Sequence, residues 1–273
     1  MSEGFRRPCL RWPGNKYSLL SKIFEFVPEG FKNYHEPFLG SGSVFLNIEA
    51  KGKYFLSDCS PALMNFYMQV KNNLPTFLSI LSIKENTTSF YYLERERVYK
   101  TSIERAAQLY YLNRTCFNGI YRVNSYGKFN VPYGYRANFD IVDRENLTRL
   151  RNKLKRAVLN TCDFKLTDRF MKTGDFVFLD PPYSAMVNNS KFLMYNETLF
   201  SWSDQLRLQE FCRLLIKRRI RFVMTNLYNS DIFNLFGKGL KLNCTTVERI
   251  SRVGSKSESR GLIKEYLFSN SIL

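Results

Sequence analysis

The sequence predicts an α/β fold built on a mostly parallel sheet and interrupted by an insertion. Three observations predict it. Short apolar strands alternate with amphipathic helical stretches from Tyr34 to Val70, and the same alternation returns after Ala157. Between them the alternation breaks into helical pieces and a polar hairpin. Parallel strands need long crossovers, so residues 1–74 and 157–273 are read as one discontinuous domain and 75–156 as its insert.

The elements follow in order. After Trp12-Pro13-Gly14-Asn15-Lys16, apolar Leu19, Leu20, Ile23, Phe24 and Val27 give a helical pattern that Pro28 ends. Tyr34 to Phe38 reads as a short strand running into Leu39-Gly40-Ser41-Gly42-Ser43 and a helix over Val44 to Ile48. Lys53 to Ser57 forms a second strand ending at Asp58, and Ser60-Pro61 opens a helix with Leu63, Met64, Phe66, Tyr67 and Val70. Residues 75–116 are helical in pieces, the last opened by a Thr101 to Glu104 capping box. Ile120 to Val131 reads as a β-hairpin carrying bases and aromatics. Asp143 starts a basic amphipathic helix with Leu147, Leu150 and Leu154, followed by a strand near Ala157 to Asn160. Phe176 to Leu179 is a strongly apolar strand ending at Asp180. A helix over about Ser203 to Arg218, a strand Phe222 to Thr225, and two antiparallel strands, Lys241 to Ile250 and Leu262 to Phe268, complete the chain.

Lys plus Arg total 41 against 24 Asp plus Glu, a formal charge of +17 that favours a polyanionic partner, nucleic acid first. The bases fall in short clusters within helices, such as Lys153 to Arg156 and Lys217 to Arg219, which disfavours a basic tail or membrane-surface helix. Lys217 to Arg221 is read as a solvated helix end. No membrane span or signal peptide is expected, and the protein is placed in the cytoplasm. The six cysteines form no CxxC pair and are expected as free thiols, with Cys116 and Cys162 buried. His35 is the sole histidine, so a zinc site or a histidine-based triad is not expected; the residue itself is read as packed or hydrogen-bonded. Phe, Tyr and Trp make up 16% of the chain, read first as core packing.

Two places carry chemistry. Gly40-Ser41-Gly42, between a strand and a helix, lets a ligand approach the backbone, and Asp58 at the next strand end can take two ribose hydroxyls. The same pattern serves equally as a tight turn with an acidic cap, and no third glycine completes a NAD fingerprint. Asp180-Pro181-Pro182-Tyr183 discriminates further, because two prolines fix an extended backbone and cannot extend a ladder. A carboxylate and a proline carbonyl there can accept both hydrogens of an exocyclic amino group while the tyrosine stacks on its base. An aniline-like nitrogen is a poor nucleophile, and two acceptors on its hydrogens favour a pyramidal nitrogen whose lone pair can attack.

With FLGSG, DPPY, an opening RWPGNK and the insert NRTCFNGIYRVNSYGKFNVPYG, the chain resembles the Dam-type DNA adenine methyltransferases nearly end to end. The resemblance implies a Rossmann-like S-adenosylmethionine methyltransferase sheet with an inserted helical and β-hairpin DNA-recognition domain. It implies S-adenosylmethionine as cofactor, double-stranded DNA as partner, no metal, and methyl transfer to the N6 of a flipped adenine in GATC. A monomer in solution is expected.

Residue by residue, the resemblance implies Trp12 and Lys16 near the cofactor, Phe38, Gly40, Ser41 and Gly42 around its methionine end, Asp58 on the ribose and Phe164 near its adenine. Asp180, Pro181, Pro182 and Tyr183 would hold the target adenine, with Asp180 also bordering the cofactor. Arg122 would read a guanine edge, Ile120 and Pro132 would make apolar base contacts, and Phe117 would wedge into the stack. Asn118 would face the orphaned base and Arg11 the flanking DNA. The chain departs from the family with Phe117 where tyrosine is common and Asn15 in place of a glycine. Cytosine-N4 methylation, for which Ser usually stands in place of Asp180, and a catalytically silent DNA-binding protein are the alternatives.

Overall fold

The computed structural model describes residues 4–124, 127–135, 140–182, 200–250 and 262–270. Strands β1 (Tyr34–Glu36), β2 (Tyr54–Asp58), β3 (Ala157–Thr161), β4 (Phe176–Leu179), β5 (Arg221–Leu227), β6 (Asn243–Ile250) and β7 (Leu262–Ser269) form a seven-stranded sheet. Its order is β3-β2-β1-β4-β5-β7-β6. β1 pairs in parallel with β2 and β4, and β4 with β5, whereas β7 runs antiparallel between β5 and β6. The fold is therefore the expected α/β type. Chain order runs outward from β1 through β2 to β3 and, the other way, from β4 to β5, and such a reversal opens a crevice at the carboxyl ends of the strands.

Packing divides the chain into two compact units, one holding Ser18–Leu39, Ile48–Cys59 and the chain from Cys162 on. Here β4 is buried along its whole length, so it reads as a continuous apolar run rather than an alternating one. Helix Trp202–Lys217 starts with a Ser201/Asp204 capping box and buries Leu208, Phe211, Cys212 and Leu215 in a cluster with Val177, Leu179, Phe222 and Met224. The N-terminal helix is shorter than its apolar pattern: a 3₁₀ turn, Tyr17–Leu19, leads into Leu20–Phe24. Bonds from Phe26 N–H to Ile23 O and Val27 N–H to Phe24 O tighten the chain before Pro28. The end of helix Trp202–Lys217 is solvated as read, with Lys217, Arg219 and Arg221 exposed, while half-buried Arg218 donates to the carbonyls of Asp168 and Met171.

His35 is structural. It is 1% exposed, stacks on Phe55 with ring centroids 4.7 Å apart, and its Nε2 lies 2.9 Å from Asp175 Oδ2. Asp175 also accepts from Lys172 N–H and from the backbone and side chain of Asn33, tying the entry of β4 to that of β1. Burial pushes this carboxyl up, but the bonds from His35, Lys172 and Asn33 outweigh it and hold the group below the usual carboxylate range. A carboxyl with a lower pKa folded than unfolded adds stability above its unfolded value, about 3.9, and loses it as pH falls through the folded value. Asp175→Asn is expected to cost about 1–3 kcal/mol at neutral pH and to flatten the acid-side loss of Tm. Thermal melts from about pH 3 to 7 check this, and an unchanged neutral Tm would contradict it.

The other unit holds the chain up to Tyr17, Gly40–Asn47 and Ser60–Thr161. Its long helix, Pro61–Ser82, is capped by Ser60 Oγ accepting from Leu63 N–H and continues across Pro75 with a kink at Asn73 (φ −130°). Buried Leu74, Phe77, Leu78 and Leu81 carry it past the proline, packing on helix Ser102–Thr115 through stacked Phe66 and Tyr110. The Thr101/Glu104 capping box and the Asp143 cap form as read from the sequence, and Leu147, Leu150 and Leu154 are buried. The hairpin is looser than predicted. Among the described residues it consists of isolated antiparallel bridges, Cys116↔Tyr133 and Val123↔Phe129, rather than laddered strands. Pro132 lacks a donor, and Asn118 (φ 53°) and Gly119 (φ 66°) bend the chain at its base. Cys116 is buried, which pushes its thiol up to about 12, while Cys162 is only half-buried.

Candidate active site

The carboxyl ends of β1 and β4 lie on neighbouring parallel strands, so Glu36-Pro37-Phe38 and Asp180-Pro181-Pro182 leave the sheet side by side. Asp180 is half-buried and its Oδ1 accepts from Thr225 Oγ1 at 2.7 Å. Pro181 is buried and Pro182 half-buried; Tyr183 lies outside the described residues. Thr225 belongs to the buried end of β5, where Asn226 Nδ2 donates to Gln205 Oε1 at 3.1 Å. At the end of β1, Glu36 is 2% exposed and accepts from Tyr34 Oη at 2.8 Å. Burial, then Glu36, pushes the Tyr34 phenol well above its ordinary range, so it stays a donor. Neither Thr225 nor Glu36 stands out in the sequence; the one signal is the switch from apolar to polar residues at Thr225-Asn226.

Asp58 ends β2 half-buried, its carbonyl accepting from Cys162 N–H at 3.3 Å. Phe38 is half-buried against Phe164 and Phe200, with centroids 5.1 and 5.9 Å away. Phe164 is 4% exposed: Phe38, Phe200 and Phe211 surround it, and the Arg207 guanidinium sits 5.1 Å from its centroid. The same guanidinium bonds Asp163 Oδ1 at 2.7 Å. Phe38 is thus the more accessible ring of this cluster.

In the other unit, Gly40 and Gly42 adopt φ of 49° and 66°, a conformation glycine takes without strain. A Cβ on Gly40 would lie 3.4 Å from Trp12 Cδ1, and the Gly40 carbonyl accepts from Tyr67 Oη at 2.8 Å. Ser41 Oγ and Ser43 Oγ are 2.8 Å apart. Lys16 is 2% exposed and donates to the Gly14 carbonyl. Asn15 closes the turn by donating from its backbone and side chain to the Trp12 carbonyl, and the positive φ falls on Gly14 (76°) instead. Asn15 therefore fits the turn without a positive φ of its own.

The same unit joins the opening segment to the hairpin base. Asn113 accepts from Arg11 N–H and donates to the carbonyls of Arg11 and Gly119, while a Cβ on Gly119 would meet Arg11 Cβ at 2.3 Å. Trp12 stacks on Tyr121 with centroids 4.8 Å apart and planes 22° apart. Phe117 and Ile120 are half-buried, and Asn118 and Pro132 exposed. Phe117 N–H donates to Pro132 O. Exposed Arg122 is oriented by Asn130, with Nε 2.7 Å from its Oδ1 and Nη2 3.4 Å from its carbonyl. Among the described residues, no group of three His, Cys, Asp or Glu can hold a metal ion, and no helix is long and apolar enough to cross a membrane.

The sheet order reverses between β1 and β4, the arrangement of α/β folds that bind ligands at the carboxyl ends of their strands, where Asp180-Pro181-Pro182 follows β4. Residues 12–251 match the family model of the D12 class N6 adenine-specific DNA methyltransferases, and the chain belongs to that family. It is 34% identical over 276 residues to Type II methyltransferase M.MjaIII of Methanocaldococcus jannaschii, covering 93% of this chain and 95% of that one. It is 34% identical over 274 residues to Type II methyltransferase M1.LlaDCHI of Lactococcus lactis subsp. cremoris, covering 97% and 95%. Against the DNA adenine methylase of Escherichia coli (strain K12) it is 30% identical over 269 residues, covering 96% and 94%.

The reaction is methyl transfer to the N6 amino group of adenine in DNA, and the family implies S-adenosylmethionine as methyl donor. The residue types are of the kind that molecule needs: a half-buried carboxylate at the end of β2 can accept from hydroxyls, and within the other unit Gly40 and Gly42 leave the backbone open at positive φ.

Proposed function

We propose that the chain methylates adenine within GATC in duplex DNA after flipping the base out of the stack. The observation that carries the reading is the half-buried Asp180 at the carboxyl end of the central strand β4, followed by two prolines that cannot continue the ladder. The Asp180 carboxylate and the Pro181 carbonyl accept the two amino hydrogens, which frees the nitrogen lone pair for attack and holds the amino proton at Asp180. Tyr183 stacks on the flipped ring, and Pro182 stiffens the turn. Bound S-adenosylmethionine supplies the electrophilic methyl carbon. Asp58 takes the ribose of that cofactor, Phe38, Gly40, Ser41 and Gly42 its methionine end, Phe164 lies near its adenine, and Trp12 and Lys16 lie near the cofactor.

On the DNA side, Arg122 takes the guanine O6 and N7, Ile120 and Pro132 touch base edges, and Phe117 fills the gap left by the flipped base. Asn118 faces the orphaned partner and Arg11 the flanking phosphates or bases. Phenylalanine at position 117 keeps the stacking face of the tyrosine common in the family. Residues 75–156 act as the target-recognition part, and the protein works as a monomer on cytoplasmic DNA without a metal.

GATC selection is tested through Arg122. Arg122→Ala is expected to lose about 1–3 kcal/mol of discrimination at one guanine position while selectivity elsewhere survives. Lysines touching only phosphate would instead weaken binding to all sequences alike and reduce its salt dependence. Methylation rates on duplexes substituted at each base of GATC check this. A uniform fall with no relaxation at the guanine would make Arg122 a backbone contact and remove the main support for GATC.

A further inference from the structure

We infer that Thr225 is a positioning residue for methyl transfer, its hydroxyl fixing the Asp180 carboxylate in the orientation that receives the adenine amino group. This rests on Asp180 being the amino-group acceptor proposed above. The residues of β5 from Phe222 to Met224 are apolar and fully buried, as an interior strand requires, yet the next two, Thr225 and Asn226, are polar and equally buried at 0% exposure. Burying a hydroxyl or a carboxamide is costly unless its hydrogen bonds are made. Valine has nearly the shape of threonine and would fill the same space without that cost, so packing does not explain the hydroxyl.

The hydroxyl is spent on the carboxylate. Leu179 of β4 pairs with Met224 of β5, which brings Asp180 and Thr225 together as the next residues of adjoining parallel strands. Thr225 Oγ1 donates to Asp180 Oδ1 at 2.7 Å, a short bond to a charged acceptor. Aspartate χ2 is a broad torsion with no sharp rotamer of its own. A donor mounted on a rigid strand selects one carboxylate plane and thereby sets where the second oxygen faces. Behind it, Asn226 is locked by Gln205 on one side and by Leu227 N–H on the other, so the strand end that carries Thr225 is itself fixed. Methyl transfer depends steeply on the alignment of nucleophile and electrophile, so loss of this bond should appear in turnover rather than in binding.

The experiment compares Thr225→Val, Thr225→Ser and Asp180→Ala in the full chain, measuring kcat, both KM values, equilibrium binding of S-adenosylmethionine and duplex DNA, and Tm. Thr225→Val is expected to lower kcat by about 10- to 100-fold while both KM values and both affinities stay within about twofold. Thr225→Ser, which keeps the donor, is expected to restore kcat to within about threefold of the parent. If Thr225→Val does not fold, Thr225→Ala takes its place with the same expectation. An inactive Asp180→Ala beside a Thr225→Val enzyme with near-parental kcat would overturn the role of Thr225 alone. So would a serine variant that falls as far as the valine one. Parental turnover in Asp180→Ala would instead overturn the reading of Asp180, and the role of Thr225 with it.

Discussion

Asp180→Ala is expected to lower methylation by at least about 100-fold while the fold and much of the DNA affinity persist. On the proposed reading the side chain lost is an acceptor for the amino hydrogens, and without it the nitrogen lone pair stays delocalised into the ring. Non-specific affinity comes mainly from lysine and arginine contacts to phosphate, which the substitution leaves in place on a chain of net charge +17. The fold should tolerate the change because Asp180 is half-buried and follows β4 rather than belonging to its buried apolar run. The change has a cost, since Thr225 Oγ1 loses its acceptor at a fully buried position, and Tm should fall modestly. Single-turnover methylation with saturating cofactor, alongside filter binding to the same duplex, separates the two effects. Turnover within about tenfold of the parent would contradict the role given to Asp180.

Asp58→Ala is expected to weaken S-adenosylmethionine binding by about 1.5–3 kcal/mol for each ribose hydroxyl bond lost, which is roughly 10- to 100-fold per bond. DNA binding without cofactor should be unchanged. The carboxylate ends β2 half-buried, where a hydrogen bond to a charged acceptor is worth more than in open water. Its carbonyl, which receives Cys162 N–H, is backbone and survives the substitution. Calorimetric titration with S-adenosylmethionine checks the loss, and an unchanged affinity would rule out the ribose role.

Much of the framework is legible because the signals are local. The apolar run Phe176 to Leu179, the Ser60-Pro61 opening and the Thr101/Glu104 box each encode an element within a few residues, and each forms as read. Asp58 and Asp180 sit at the ends of β2 and β4 because the run of β-forming residues ends there. What escapes the sequence depends on partners far along the chain. Pro75 signals a helix boundary, yet buried Leu74, Phe77 and Leu78 hold one helix across it. The hairpin read over Ile120 to Val131 pairs antiparallel at Val123 and Phe129, but among the described residues its arms are not laddered strands. Nothing local to Phe164 shows that three phenylalanines and Arg207 pack around its ring, since they come from residue 38 and from residues 200–211. Thr225 reads as an ordinary strand residue until the β4–β5 pairing sets its hydroxyl against Asp180.

The most direct test incubates the full chain with methyl-labelled S-adenosylmethionine and a duplex containing one GATC, then identifies the labelled nucleoside and its position. The expected product is N6-methyladenine at the GATC adenine, absent from a duplex in which that adenine is already methylated on both strands. Label in N4-methylcytosine, label spread over adenines outside GATC, or tight cofactor binding with no label in DNA would contradict it.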